Sequence, residues 1–96
     1  MTSGLYMVHC GYYPQDAGGG IFESHLDLFV VAESFADART KAKENPVYKA
    51  HKLHIDGLQR LDVVDGFRIE AVADPALAGQ TLLESERHRS LATGAP

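Results

Sequence analysis

Residues 23–33 alternate between two kinds of side chain, and the alternation stops at Ser34. One set of alternate positions is entirely apolar: Leu26, Leu28, Val30 and Ala32. The other set mixes polar and apolar residues: His25, Asp27, Phe29 and Val31. Because successive side chains of a strand point to opposite faces, the pattern predicts a strand with one buried face and one mixed face.

After Ser34 the apolar residues recur at helical spacing. Phe35, Ala38 and Ala42 share one face of a helix, which we expect to end before Pro46. Ser34, followed by an acidic residue three positions later, resembles a capping box. The apolar face is narrow and mostly alanine, so the helix is expected to lie close against a sheet.

Three further segments have the composition of strands: residues 5–13, 52–63 and 67–72. Gly57 predicts a bulge within the second of them, and Asp65-Gly66 predicts a tight turn before the last. The resulting order of strand, strand, helix, strand, strand predicts an α+β fold. We expect a four-stranded, largely antiparallel sheet with one helix on one face.

With 96 residues the chain is long enough for one hydrophobic core. We expect a single domain over residues 1–75 and a C-terminal tail over residues 76–96. The tail has two alternatives, a flexible segment or a partly helical one. Thr81 with Glu84 forms a capping pattern that predicts a short helix over residues 82–91 in the second case.

The composition excludes several classes of protein. A formal net charge of -4 argues against a dedicated nucleic-acid binder. Cys10 is the only cysteine, so the chain has no intramolecular disulfide and no cysteine-rich zinc site. The first residues lack the features of a signal peptide, and no apolar stretch reaches the roughly 20 residues of a membrane helix. These features predict a cytoplasmic protein without a membrane partner.

Cys10 also suggests a nucleophile, since His9 stands beside it. Consecutive residues of a strand face opposite sides, so His9 cannot act as its base if the strand forms. A lone cysteine in an apolar strand is typical of a small buried hydrophobic residue. We therefore expect a structural role.

Two His-x-Asp pairs are the strongest candidates for chemistry: His25 with Asp27, and His54 with Asp56. Residues two apart in a strand share a face, about 6.5–7 Å apart along the backbone. If the second and third strands were neighbours, both pairs would meet on the helix-free face. Four nitrogen and oxygen ligands would suit zinc, iron or manganese, and the same groups would suit general acid–base catalysis.

Two functional hypotheses follow, and whether the chain is an enzyme stays open between them. In the first, it is a noncatalytic interaction or small-ligand-binding module, the His/Asp pairs only form hydrogen bonds or contact a ligand, and no metal or other cofactor is expected. In the second, it is a metal-binding protein or enzyme that uses His25, His54 and Asp56, with Asp27 as an auxiliary.

The helix-free face also predicts self-association. One helix cannot cover four strands, so Phe29 and Val31 are expected to remain exposed. A second copy of the chain is the expected partner, as a homodimer. Tyr12 and Tyr13 are further interface candidates. They also precede a predicted glycine-rich loop, residues 15–20, beside which they are placed to rim a pocket.

Several short stretches carry a family resemblance: residues 5–8 (LYMV), His25 with residues 29–34 (FVVAES), residues 53–56 (LHID) and residues 64–69 (VDGFRI). Together they resemble a small bacterial domain of unknown function, family 1543. The resemblance implies a soluble bacterial domain and carries over no catalytic residue, because the family has no assigned activity. Members often have a tryptophan after the helix and an aromatic residue soon after His-x-Asp; this chain has neither.

Overall fold

The computed structural model describes residues 2–16 and 18–86, and its elements begin with the predicted order of strand, strand and helix. Within these residues the strands and helices are β1 (Gly4–Tyr12), β2 (Ser24–Ala32), α1 (Phe35–Glu44), α2 (Pro46–His51), β3 (His54–Arg60), β4 (Val63–Val64) and β5 (Phe67–Arg68). The α+β class with antiparallel strands is confirmed.

β1 is the central strand of the main sheet, and it pairs antiparallel with β2 on one side and β3 on the other. The β1–β2 hairpin is regular from end to end. The β1–β3 ladder shifts register between His9 and Cys10, which pair with Gly57 and Ile55, so Asp56 is the extra residue of a bulge. The bulge that Gly57 predicted is therefore present.

The core lies between one face of this sheet and the helices. Three side chains of β1 are almost completely buried: Tyr6, Val8 and Cys10. They pack with Leu28 of β2 and with Ala38 and Ala42 of α1, which are fully buried. Ser34 Oγ accepts a hydrogen bond from the Asp37 N–H at 3.0 Å, so the predicted cap is formed. The alanine face lets α1 approach the sheet closely, as predicted.

The strands predicted for one sheet are divided between two sheets. The main sheet has three strands, and β4 pairs with β5 as a separate two-stranded hairpin. The predicted turn between them is present, because Asp65 and Gly66 both adopt positive φ. The chain leaves the main sheet after Arg60, whose Nε donates to Asp62 Oδ1 at 2.7 Å, and Asp62 O accepts from the Ile69 N–H.

The predicted helix is the main one, and a second, shorter helix follows it. Pro46 ends the predicted helix, and it also opens α2 as the first helical residue, a position where proline loses no hydrogen bond. Asn45 Oδ1 caps α2 by accepting from the Val47 N–H at 2.8 Å. Lys52 ends α2 with φ 51 and directs Leu53 into the core.

Residues 69–86 follow the hairpin and contain only one short 3₁₀ turn, Pro75–Leu77. Of the helix predicted over residues 82–91, residues 82–86 are not helical, and residues 87–91 lie outside the described residues. No helix in the described part of the chain is both long and apolar enough to cross a membrane.

Candidate functional site

The helix-free face of the main sheet brings charged side chains from all three strands to one end. Gly11 of the central strand pairs with His25 on one side and with His54 on the other. The condition considered from the sequence, that the second and third strands are neighbours, is not met, since β1 lies between them. The two imidazoles nevertheless lie over the same residue of β1, because that residue is a glycine and has no side chain to separate them.

Two carboxylates connect these imidazoles. Glu23 Oε1 lies 3.0 Å from His25 Nε2, and Glu23 Oε2 lies 2.8 Å from His54 Nε2. Asp56 repeats the arrangement, with Oδ2 at 3.3 Å from His25 Nε2 and Oδ1 at 3.3 Å from His54 Nε2. Each carboxylate thus places one oxygen beside each imidazole. We call these four residues, Glu23, His25, His54 and Asp56, the central cluster.

Gly11 forms the floor of the central cluster. A Cβ atom at this position would lie 2.5 Å from His54 Nε2 and 2.9 Å from oxygens of both Asp56 and Glu23. Such separations are too short for any side chain to be accommodated without moving the cluster. The absence of a side chain at Gly11 is what allows the four polar groups to converge.

A second pair flanks the central cluster. His9 Nδ1 lies 2.7 Å from Asp27 Oδ1, and their backbones are directly paired in the β1–β2 ladder. The carboxylate accepts this hydrogen bond, since an ionised carboxylate has no proton to donate. The His9 ring also stacks on the His25 ring, with centroids 5.0 Å apart and planes 6° apart. We call His9 and Asp27 the flanking pair.

Two groups within this surface have the spacing of metal ligands: Glu23, His54 and Asp56, and His9, His25 and Asp56. In each group the ligand atoms lie within 4.8 Å of one another. The side chains of the central cluster are between 32% and 43% exposed, so the site opens to solvent. A cation in solution can therefore reach these side chains directly.

Comparison with known proteins places the chain in a family. The family model of a Domain of Unknown Function (DUF1543) matches residues 21–71, more than half of the chain. The chain belongs to the DUF1543 family. This confirms the resemblance noted in the sequence, although residues 5–8 lie outside the match. No curated protein and no solved structure matches the chain.

The DUF1543 match contains the whole central cluster, whereas His9 and Gly11 precede it. Of the four residues predicted from the sequence, the structure brings His25, His54 and Asp56 together. Asp27 instead pairs with His9. The functional role of each residue stays a prediction.

Two residues of this surface, Glu23 and His9, are not among the site residues predicted from the sequence. Glu23 carries a usable signal, because it stands two positions before His25 and continues the same alternation. His9 shares a strand face with Gly11, but the sequence does not show which strand pairs beside it. The strand order supplied by the fold was needed to place both residues.

Cys10 lies on the opposite, helix-covered face of β1 from His9. It is fully buried, and its thiol donates to the Val8 carbonyl oxygen at 3.6 Å. Burial raises the pKa of the Cys10 thiol, and the negative charges of Asp27 and Asp56 add to the effect. A buried thiol held in its protonated form is a poor nucleophile, which agrees with a structural role.

The four predicted interface residues do not share one surface. Phe29 and Val31 lie on the helix-free face, 36% and 45% exposed. Tyr12 packs against the core side, with its ring 5.3 Å from that of His51, while Tyr13 is exposed near His54. Tyr12 and Tyr13 border a groove of about 720 Å³ between the end of β1 and the end of α2.

Proposed function

We propose that this DUF1543 domain is a cytoplasmic metal-binding domain, which holds a divalent transition-metal ion in the central cluster. The observation that carries the proposal is the paired arrangement of Glu23 and Asp56, each with one oxygen near His25 and one near His54. Two imidazole nitrogens and carboxylate oxygens are a donor set that suits zinc, iron or manganese.

The spacing of the donor atoms supports a bound ion. A tetrahedral zinc site with ligand distances of about 2.0–2.1 Å separates its ligand atoms by about 3.3–3.4 Å. The nitrogen–oxygen separations in the central cluster run from 2.8 to 3.3 Å. The shortest of these separations lies below the tetrahedral value, so the exposed side chains would rotate slightly apart when an ion binds.

Hydrogen bonding alone explains the arrangement less well. His25 Nε2 and His54 Nε2 each face two carboxylate oxygens. A ring nitrogen carries at most one proton, which can point well at only one oxygen. A cation has no such direction and is attracted to both carboxylates at once. This changes the balance between the two hypotheses in favour of a metal.

Zinc binding is the test. In chelator-treated protein without a histidine tag, isothermal titration calorimetry is expected to show Zn²⁺ binding. His54→Ala removes one nitrogen ligand, so the affinity is expected to fall by more than the roughly 100-fold that loss of a supporting partner costs. His51→Ala is the matched control, because His51 lies on α2 and contacts Tyr12 instead of the central cluster.

Three results of the Zn²⁺ titration would contradict the proposed site. Equal affinity of His54→Ala and the wild type, with both proteins folded by circular dichroism, would contradict a site in the central cluster. So would the absence of binding by the wild type. Loss of binding in the His51→Ala variant would show that the measured ion sits elsewhere on the chain.

A second function, self-association, has its own support in exposed apolar side chains. Leu5 pairs with Val31 and Met7 with Phe29 across the helix-free face, which forms an apolar stripe at the far end from the central cluster. The segment after the β4–β5 hairpin also exposes apolar side chains: Val72, Leu77, Leu82 and Leu83. We propose that this segment of one copy covers the stripe of a second copy.

Sedimentation velocity tests the homodimer. Val31→Lys places a charge in the stripe and Leu83→Lys places one in the covering segment, so each is expected to convert a dimer into a monomer. Val47→Lys is the control, because Val47 is similarly exposed at 42% but lies on α2, in the helical layer. A monomeric wild type, or equal dissociation of all three variants, would refute the proposed contact.

A further inference from the structure

We infer that the DUF1543 domain binds two divalent cations side by side, with Asp56 bridging them; this rests on the proposed metal-binding function. The first ion keeps three residues of the central cluster, Glu23, His54 and Asp56. The fourth, His25, binds the second ion instead, together with His9 and Asp56. The two ligand groups share Asp56 and have no other member in common.

Asp56 has the geometry of a bridging ligand. Its Oδ1 lies beside His54 Nε2 and its Oδ2 lies beside His25 Nε2, both at 3.3 Å. One carboxylate therefore serves two imidazoles through different oxygens. Paired metal ions in proteins typically stand about 3.5–4 Å apart, a separation that a carboxylate binding through both oxygens can span.

The bulge in β3 explains why Asp56 can do this. Asp56 is the extra residue between Ile55 and Gly57, which pair with Cys10 and His9. A bulge changes the direction of a side chain at one position of a strand. Asp56 thereby stands between the two imidazoles on the flanking strands rather than beside His54 alone.

Asp27 completes the second group as a positioning residue. Its Oδ1 accepts a hydrogen bond from His9 Nδ1 at 2.7 Å. The other ring nitrogen, His9 Nε2, is therefore the one available to an ion. A carboxylate on the far nitrogen of a ligating histidine fixes the ring orientation and raises its basicity. The parallel stacking of His9 on His25 keeps the two rings on the same side of the sheet.

Charge also favours two ions over one. The central cluster and the flanking pair together contain three carboxylates on one open face: Glu23, Asp27 and Asp56. A second divalent cation offsets the negative charge that a single ion leaves. Each ion has three protein ligands, so positions remain on the solvent side for water or a further ligand, as in catalytic metal sites.

The experiment counts bound Mn²⁺. Full-length, tag-free protein is dialysed against saturating Mn²⁺, and bound metal is measured by mass spectrometry, with electron paramagnetic resonance recorded on the same samples. The wild type is expected to hold two ions with a spectrum showing magnetic coupling between them. His9→Ala is expected to hold one ion without coupling, whereas His51→Ala is expected to match the wild type.

Asp27→Asn provides a second variant that keeps every ligand. It is expected to weaken the second ion by about 10–100-fold and leave the first unchanged, because it alters only the support of His9. One ion in the wild type, unaffected by His9→Ala, would overturn the two-ion inference and leave the proposed metal site standing. No bound Mn²⁺ together with no Zn²⁺ binding would remove both.

Discussion

Gly11→Ala is expected to abolish tight metal binding while the domain stays folded. The added methyl group would lie 2.5 Å from His54 Nε2 and 2.9 Å from a carboxylate oxygen of Asp56, so it occupies the space where the ligands converge. We expect Zn²⁺ affinity in calorimetry to fall by at least about 100-fold, the upper range for loss of a group that orients a ligand. The backbone of Gly11 lies outside the left-handed region, so alanine adds no backbone strain.

Gly57→Ala is the matched control for this substitution. Gly57 pairs with His9 in the same sheet, and a Cβ added there meets no atom within 4 Å. The variant is expected to bind Zn²⁺ like the wild type, and both variants are expected to retain the wild-type midpoint in urea within a small margin. If Gly11→Ala binds Zn²⁺ with unchanged affinity, the ion does not lie over Gly11.

Tyr6→Ala is expected to produce the largest loss of stability. The Tyr6 side chain is 1% exposed, and its ring meets the edge of Phe35 at a centroid distance of 5.3 Å. Removing a buried aromatic ring costs about 3–5 kcal/mol of unfolding free energy. Since small domains have only about 5–15 kcal/mol in total, the variant is expected to be largely unfolded in urea titrations at low denaturant.

Tyr6→Phe separates the ring from the hydroxyl group. The Tyr6 hydroxyl oxygen accepts a hydrogen bond from Arg60 Nη1 at 3.1 Å, and the Arg60 guanidinium also lies 5.5 Å from the ring centroid. Phenylalanine keeps the ring and the contact with the cation, so the expected loss is only about 1 kcal/mol. Equal destabilisation by both substitutions would mean that the hydrogen bond, and not core packing, is the main contribution of Tyr6.

Local patterns in the sequence predicted the individual elements well. The alternation over residues 23–33 identified both faces of β2, and the spacing of Ala38 and Ala42 identified the buried face of α1. Both predictions succeeded because side-chain periodicity depends only on the local backbone geometry. The bulge at Gly57 belongs to the same class, since glycine within a strand weakens regular pairing.

Those local patterns do not determine the order of the strands in the sheet. The first strand lies between the other two, a fact that depends on pairings between residues far apart in the sequence. This order decides that Gly11 separates His25 from His54, and that Asp27 meets His9. The sequence shows which polar residues share a face of one strand. It does not show that Asp27 contacts His9 of the neighbouring strand.

The boundary of β3 shows a different limit. Residues 52–63 continue an apolar pattern through Val63, yet the strand ends at Arg60 and Val63–Val64 pairs with β5. The hydrogen bond from Arg60 to Asp62 helps turn the chain away from the main sheet. A polar contact between neighbouring residues has no signature in hydrophobic periodicity, so the pattern could not show where the strand stops.

The position of the central cluster, over the middle strand of the sheet, has a consequence for the stability and abundance of the protein. Two of its residues belong to β3, one belongs to β2, and Glu23 directly precedes β2. These two strands have the central strand between them, so the proposed ion would link the two edges of the sheet. An ion that binds only the native chain would add about 2.7 kcal/mol to the free energy of unfolding at a concentration of a hundred times its dissociation constant. The abundance of the folded protein would then follow the supply of free metal, and chelation would shorten its lifetime.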